Sequence, residues 1–213
     1  FSHENVPEQV VALSNRLAGP LPGLIAQIKA APPYRPHSFD LSEIQSSRKA
    51  SVLWLMYPTN EGEIVGVLIE RAEYDGVHSK QIGMPGGEME ISDSDYIDTA
   101  LRECSEELGV SIPRENVLGA LSPLYIPPSN FYVRPYVAWL PMCPVWSPDV
   151  REVRKVLACK MTYISNKDTW KEYEVGGKKV PGFLLESRLV WGATAMMIAE
   201  LMECWKLPDT FAE

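Results

Sequence analysis

The chain is short of what would make it a nucleic-acid-binding, membrane-spanning or disulfide-framed protein. Its 20 lysines and arginines are outnumbered by 28 aspartates and glutamates, a net charge of −8. That balance lacks the basic surface that follows a phosphate backbone, so no nucleic-acid partner is expected. No stretch approaches the ~20 consecutive apolar residues of a membrane span, so no membrane partner is expected either. The four cysteines, Cys104, Cys143, Cys159 and Cys204, show no CxxC or other metal-ligand spacing. They read as reduced thiols packed as small hydrophobes, which suits a cytoplasmic location. The opening residues, FSHENVPEQV, offer neither a basic nor an apolar leader region, so no signal peptide is expected there, and the missing initiator Met suggests a trimmed or tagged sequence. Repeats and low-complexity tracts are absent as well.

What is present suffices for one sizeable core: 213 residues with 46% hydrophobic and 23% charged side chains. Val6 to Leu17 has apolar residues at helical spacing, and Leu21 to Ala30 reads as a second short helix ended by APPYRP. Both belong to an N-terminal addition, in which Arg35 is either a surface residue or a substrate contact. SVLWLMY (51–57) and IVGVLIER (64–71), separated by a PTNEG turn, predict a β-hairpin. A loop then leads to a helix over 93–108. Leu118–Tyr125 and Phe131–Leu140 read as strands around an IPPSN turn. Arg151–Val156 reads as a helical turn, Ala158–Ile164 and Gly182–Trp191 as strands, and about 193–205 as the last helix. This order predicts a mixed sheet with helices packed on it, an α/β or α+β sandwich without an internal domain boundary. The last helix, with Met196, Met197, Ile198, Leu201 and Met202, can bury against the sheet; a homodimer contact is the alternative use of that face.

The stretch from Met84 to Val110, MPGGEMEISDSDYIDTALRECSEELGV, carries the chemistry. At about 100° per residue, Glu103, Glu106 and Glu107 fall within about 100° of one another, while Ile97, Leu101, Cys104 and Leu108 form a separate apolar stripe. Asp93 or Ser94 is the expected N-cap and Gly109 the expected C-terminal stop. Three carboxylates on one face repel, and Arg102 offsets only part of that at i,i+4. Either the face is simply solvated, or a divalent cation neutralises it; hard oxygen ligands suit Mg²⁺ or Mn²⁺. Pro85-Gly86-Gly87 just upstream lets a backbone approach a ligand or metal closely.

Arg102-Glu103-Cys104-Ser105-Glu106-Glu107-Leu108-Gly109-Val110 matches every fixed position of the Nudix box core, REuxEExGu, with u a bulky apolar residue and only Cys104 small for its slot. The chain therefore resembles the Nudix hydrolases. The resemblance implies an α/β/α sandwich with a mixed sheet over residues 49–213, preceded by the helical extension of residues 1–48. It also implies hydrolysis of a diphosphate joined to another moiety. The usual box has Gly and Glu where this chain has Glu88 and Ser94, and Gly87 lies fifteen residues before Arg102. That shifted register, with Asp93 beside the helix start, is similar to the coenzyme A pyrophosphatase subgroup. So are Leu68, Arg71, Ala72 and Pro85-Gly86-Gly87 upstream, RPYV at 134–137 and VWGATA at 190–195, whereas Ile69, Gly76, Lys80 and Met84 differ from the subgroup.

By this resemblance Glu103, Glu106 and Glu107 hold Mg²⁺ or Mn²⁺, with the Gly87 carbonyl as an extra ligand. Arg102 orients a glutamate. Glu106 is the first candidate for general base, and Glu152 on a distant loop is the second. Glu88 and Glu90 border the metal region. Arg71, His78, Lys80 and Gly86 are the substrate-binding candidates, since the charged ones offer donors to phosphate. The partner implied is a small nucleotide conjugate: coenzyme A or acyl-CoA first, then ADP-ribose, a nucleotide sugar or an oxidised nucleotide. A non-catalytic nucleotide-binding module is the remaining alternative.

Overall fold

The computed structural model describes residues 6–72 and 81–206. The chain opens with α1 (Glu8–Leu17), α2 (Leu24–Gln27) and α3 (Leu41–Gln45), followed by strands β1 (Arg48–Pro58), β2 (Ile64–Arg71), β3 (Ile82–Gly83) and β4 (Gly86–Glu88). Next come α4 (Tyr96–Leu108), then β5 (Val117–Ala120), β6 (Leu124–Ile126), β7 (Phe131–Trp139) and β8 (Val153–Lys160). The end of the chain holds α5 (Met161–Ser165), β9 (Lys171–Val175), β10 (Lys178–Leu185), β11 (Arg188–Trp191) and α6 (Gly192–Trp205).

β1 is the spine of an eight-stranded mixed sheet. It runs antiparallel to β2 and parallel to β7. Its alternation decides which layer each side chain enters. Trp54 and Met56 join α1 and α6 on one face; Leu53, Leu55 and Tyr57 join Ala100, Cys104 and Leu108 of α4 on the other. Both faces are covered, so the strand reads as a continuous apolar run. The result is an α/β/α sandwich, with a small sheet of β9, β10 and β11 beside it.

β1 and β2 are paired from Pro58–Ile64 to Met56–Gly66 and then diverge. The segment from Ile82 to Glu88 fills the wedge: β3 pairs with β2, and β4 pairs with β1. This wedge positions the site.

Several expectations need correction. Gly182–Trp191, read as one strand, is the end of β10 and all of β11, two antiparallel strands joined by a turn. Val153–Lys160 is a strand antiparallel to β2, so Arg151–Val156 is not a helical turn, and Met161–Ser165 continues as helix where strand was expected. Pairing along the whole edge of β2 outweighs the local charge of Arg154 and Lys155. Residues 118–125 divide into β5 and β6, both on β7. The N-cap of α4 is Asp95, one residue beyond the expected pair, because Asp93 is engaged elsewhere.

Glu200 on α6 is fully buried and has no basic partner among the described residues. It accepts the Gly23 N–H at 2.9 Å, the Gln27 side-chain amide at 2.9 Å and the Ser122 N–H at 3.1 Å. One carboxylate thus ties the N-terminal segment and the β5–β6 turn to α6. Glu200→Leu strands these donors, and a buried donor left unsatisfied costs about 1–3 kcal/mol. Urea unfolding is expected to show a loss of about 3 kcal/mol; a loss under about 0.5 kcal/mol, the level of an ordinary surface change, contradicts the strut role.

Candidate active site

Short polar residues set the ends of α4. The Asp95 carboxylate accepts the N–H groups of Ile97 and Asp98 at 2.9 Å each, and Gly109 closes the helix at φ 68. Between them the three glutamates leave one side of the helix into different surroundings.

Glu107 is 1% exposed. Its Oε1 accepts from Arg71 Nη1 at 2.8 Å, and its Oε2 from the Gly86 N–H at 2.8 Å. Glu103 lies against Gly87 and accepts from Arg102 Nη1 at 2.9 Å. Glu106 points outward, 58% exposed, and accepts from the same Arg102 nitrogen at 2.9 Å. Arg102 is gripped from below by Asp93, which accepts its Nε and Nη2 at 3.0 Å each, while the Glu88 carbonyl accepts Nη2 at 3.0 Å.

The backbone of β4 explains how these groups meet. Its ladder bonds to β1 join Leu53 with Pro85 and Lys49 with Met89 at 2.9 Å each. In an antiparallel ladder bonded pairs alternate, so Ser51–Gly87 is the bonded pair between them. Gly86 and Glu88 therefore turn their backbone groups away from β1. Gly86 gives its N–H to Glu107 and its carbonyl to Arg71 Nη2 at 2.7 Å.

Burial pushes the Glu107 carboxyl up to about 7, with Arg71 and the Gly86 amide pulling it back in part. Burial raises Glu103 as well. Arg102, by its hydrogen bonds, holds Asp93 down at about 2. Two guanidiniums, of Arg71 and Arg102, thus face four carboxylates, of Asp93, Glu103, Glu106 and Glu107. Among the described residues the carboxylates thus outnumber the guanidiniums, and their hard oxygens beside a backbone carbonyl are a donor set that fits Mg²⁺ or Mn²⁺. Among the described residues no three acidic, histidine or cysteine side chains already converge on one point, and the two arginines occupy oxygens that an ion would take.

Of the candidates from the sequence, Arg71, Gly86, Gly87, Arg102, Glu103, Glu106 and Glu107 come together. Glu88 turns its side chain to Arg48, whose Nε donates at 2.8 Å, and Glu90 stands 4.0 Å from Arg102. Glu152 is exposed, but its carbonyl accepts the Ala72 N–H at 2.8 Å, next in the chain to Arg71. His78 and Lys80 lie outside the described residues. The grip of Asp93 on Arg102 was missed; its sequence signal was an acid beside Ser94, where the usual box carries Glu.

Beyond Gly86 and Gly87 opens a cavity of about 480 Å³ on the α6 side of β1. Ala50, Val52, Ile82, Met196 and Met197 make much of its wall, and Arg35 and Arg71 reach it. Arg35, weighed in the sequence as a surface residue, is thus a cavity residue.

The two glycines are needed for different reasons. A Cβ at Gly86, whose φ is 148, would sit 2.3 Å from the Ser51 carbonyl, a rigid backbone atom. The nearest atoms that a Cβ at Gly87 would meet are those of the Glu103 carboxyl, at 2.5 Å, the end of a flexible side chain. Gly86→Ala is expected to lower the melting temperature markedly. Gly87→Ala is expected to melt near wild type yet lose at least about tenfold in turnover, because it displaces a carboxylate; tenfold corresponds to 1.4 kcal/mol in the barrier. Thermal melts and metal-dependent assays of both variants check the contrast, and full activity in Gly87→Ala contradicts it.

Residues 47–155 match the NUDIX domain. The human mitochondrial coenzyme A diphosphatase NUDT8 is 33% identical over 128 residues, which cover 57% of this chain and 54% of that protein. The Nudix hydrolase NudL of Yersinia enterocolitica is 30% identical over 141 residues, covering 64% and 72%. A MutT/nudix family protein from Enterococcus faecalis has a similar fold, with a TM-score of 0.55 at 14% identity over 92% of this chain and 73% of that one. The chain spans little more than half the length of the human relative.

Proposed function

The chain belongs to the Nudix family, and from that premise we propose that it hydrolyses the diphosphate of coenzyme A or an acyl-CoA. The products are 4′-phosphopantetheine, or its acylated form, and adenosine 3′,5′-bisphosphate. The observation that carries this reading is the junction at Gly86–Gly87: the helix carboxylates of Glu103 and Glu107 on one side, and on the other a cavity within the ~300–1,000 Å³ range of small-molecule sites. Its resemblance to the coenzyme A subgroup and the likeness to a coenzyme A diphosphatase support this substrate.

Nudix hydrolases use divalent metal ions. Here Glu103, Glu106, Glu107 and the Gly86 carbonyl are proposed to hold Mg²⁺ or Mn²⁺, which would activate water and neutralise diphosphate oxygens. Gly86 replaces Gly87 in this part because the Gly87 carbonyl belongs to the ladder with β1. Arg71 and Arg102 hold the carboxylates in place before the ion arrives. Arg71 also reaches the cavity, where a guanidinium can pass from Glu107 to a phosphate oxygen. Glu106, the most exposed of the three glutamates, takes the proton of the attacking water on its carboxylate.

A substrate panel with Mg²⁺ or Mn²⁺ tests the reading, with products identified by mass. Coenzyme A or acyl-CoA is expected to give the highest kcat/KM. Preferred cleavage of ADP-ribose, a nucleotide sugar or an oxidised nucleotide overturns the substrate. Tight nucleotide binding with no cleavage of any member would make the chain a binding module.

A further inference from the structure

In a chain of net charge −8, the cavity beside Gly86 and Gly87 has no acidic side chain among its described lining residues. The two cations among those described residues are arginines. Arg71 is committed to Glu107 and to the Gly86 carbonyl. Arg35 is not committed to any carboxylate among the described residues. Its backbone is fixed by an N–H donated to the Pro32 carbonyl at 2.9 Å. Its guanidinium donates Nη2 to the Tyr125 carbonyl and lies over the Phe39 ring, 5.2 Å from the centroid. Phe39 in turn packs edge-on against Tyr125, with centroids 4.9 Å apart. Burial lowers the pKa of Arg35, as expected for a desolvated cation without a counter-charge.

Arg35 lines an apolar cavity, its guanidinium is held in one orientation, and among the described residues only its Nη2 has a hydrogen-bond acceptor. An anion is the group that completes it, and planar bidentate donors suit phosphate. Trp191 lines the same cavity and offers aromatic surface to a base, while the rings of Tyr34 and Phe131, also in the lining, carry Lys178 and Arg48 over one face. We propose that Arg35 binds the 3′-phosphate of the adenosine half of coenzyme A, with that half of the substrate seated in the cavity. The proposal rests on the coenzyme A reading above. It also gives the N-terminal segment, which lies outside the matched residues 47–155, a part in choosing the substrate.

The test compares coenzyme A with 3′-dephospho-coenzyme A in the wild type, Arg35→Gln and Arg35→Lys. Wild type is expected to favour coenzyme A by about tenfold or more in kcat/KM, Arg35→Gln to bring the ratio toward one, and Arg35→Lys to keep part of the preference. Equal use of both substrates by wild type, or an unchanged ratio in Arg35→Gln, overturns the proposal. Calorimetric binding of adenosine 3′,5′-bisphosphate against adenosine 5′-monophosphate separates this inference from the function it rests on. If wild type cleaves neither coenzyme, the functional reading falls. A preference for the bisphosphate that Arg35→Gln loses still supports the anion site, and no such preference overturns it.

Discussion

Replacing Glu106 with Gln is expected to leave a folded protein that no longer turns over its substrate. The side chain is 58% exposed and its partner is Arg102 one helical turn back, a kind of pair worth about 0.3–0.5 kcal/mol. Stability should therefore change by no more than about 0.5 kcal/mol. The amide keeps the shape but removes both the charge that draws a divalent ion and the base that accepts the water proton. General-base catalysis alone contributes about 10²–10⁴-fold, so with metal binding impaired as well a loss of at least about 10³-fold in kcat is expected. Urea unfolding and steady-state turnover with saturating Mg²⁺ check both halves. Activity within about tenfold of wild type would reject a chemical role for Glu106.

Arg71→Ala is expected to have the largest effect on stability. Among the described residues it leaves Glu107 buried with only the Gly86 N–H as partner. Removing one member of a buried ion pair costs about 3–5 kcal/mol. The cost depends on pH, and its sign follows from the carboxyl. Folding raises Glu107 from the ordinary glutamate value of about 4.3 to about 7. A raised carboxyl pKa means that protonation favours the folded state. That contribution is present in full below about pH 4 and is lost as pH climbs toward 7. Without Arg71 the folded pKa moves higher still, so the variant goes on losing stability above pH 7, where wild type has levelled off. The deficit of Arg71→Ala should be about 3 kcal/mol or more at pH 8 and clearly smaller at pH 5. An equal deficit at both pH values would mean that the lost stability comes from packing of the arginine stem, not from its charge.

Residue spacing showed some parts of this molecule and could not show others. α4 was legible because a helix at a surface must separate apolar from charged residues, and Cys104 and Leu108 alternate with Glu103, Glu106 and Glu107 at that period. β1 and β2 were legible as apolar runs of strand length around a turn. β3 and β4 were not: two and three residues, glycine-rich, carry no period, and they are strands only because β1 and β2 diverge around them. β8 was misread at Arg154 and Lys155, two adjacent charges at a sheet edge whose burial resumes its alternation only at Leu157 and Cys159. Within the site, the sequence placed the acids and the Arg102–Glu106 pair at i,i+4, but not the grip of Asp93 on Arg102. Asp93 could cap a helix or hold Arg102, and distance alone decides between them. Arg35 could be a surface arginine or a substrate contact, because only the fold brings it beside Ile82, Pro127 and Met197 in the cavity wall, while Tyr125 and Phe39 fix its guanidinium.

The central claim is that the α4 carboxylates and the arginine-lined cavity form one site, joined across Gly86 and Gly87. Crystals grown with Mn²⁺ and adenosine 3′,5′-bisphosphate test it most directly, because manganese can be located by its anomalous scattering. The account predicts a manganese peak within coordination distance of the Glu103, Glu106 and Glu107 carboxylates and the Gly86 carbonyl, with the adenosine in the cavity and its 3′-phosphate on Arg35. Manganese bound at other carboxylates, or the nucleotide seated away from the Gly86–Gly87 edge, would contradict it.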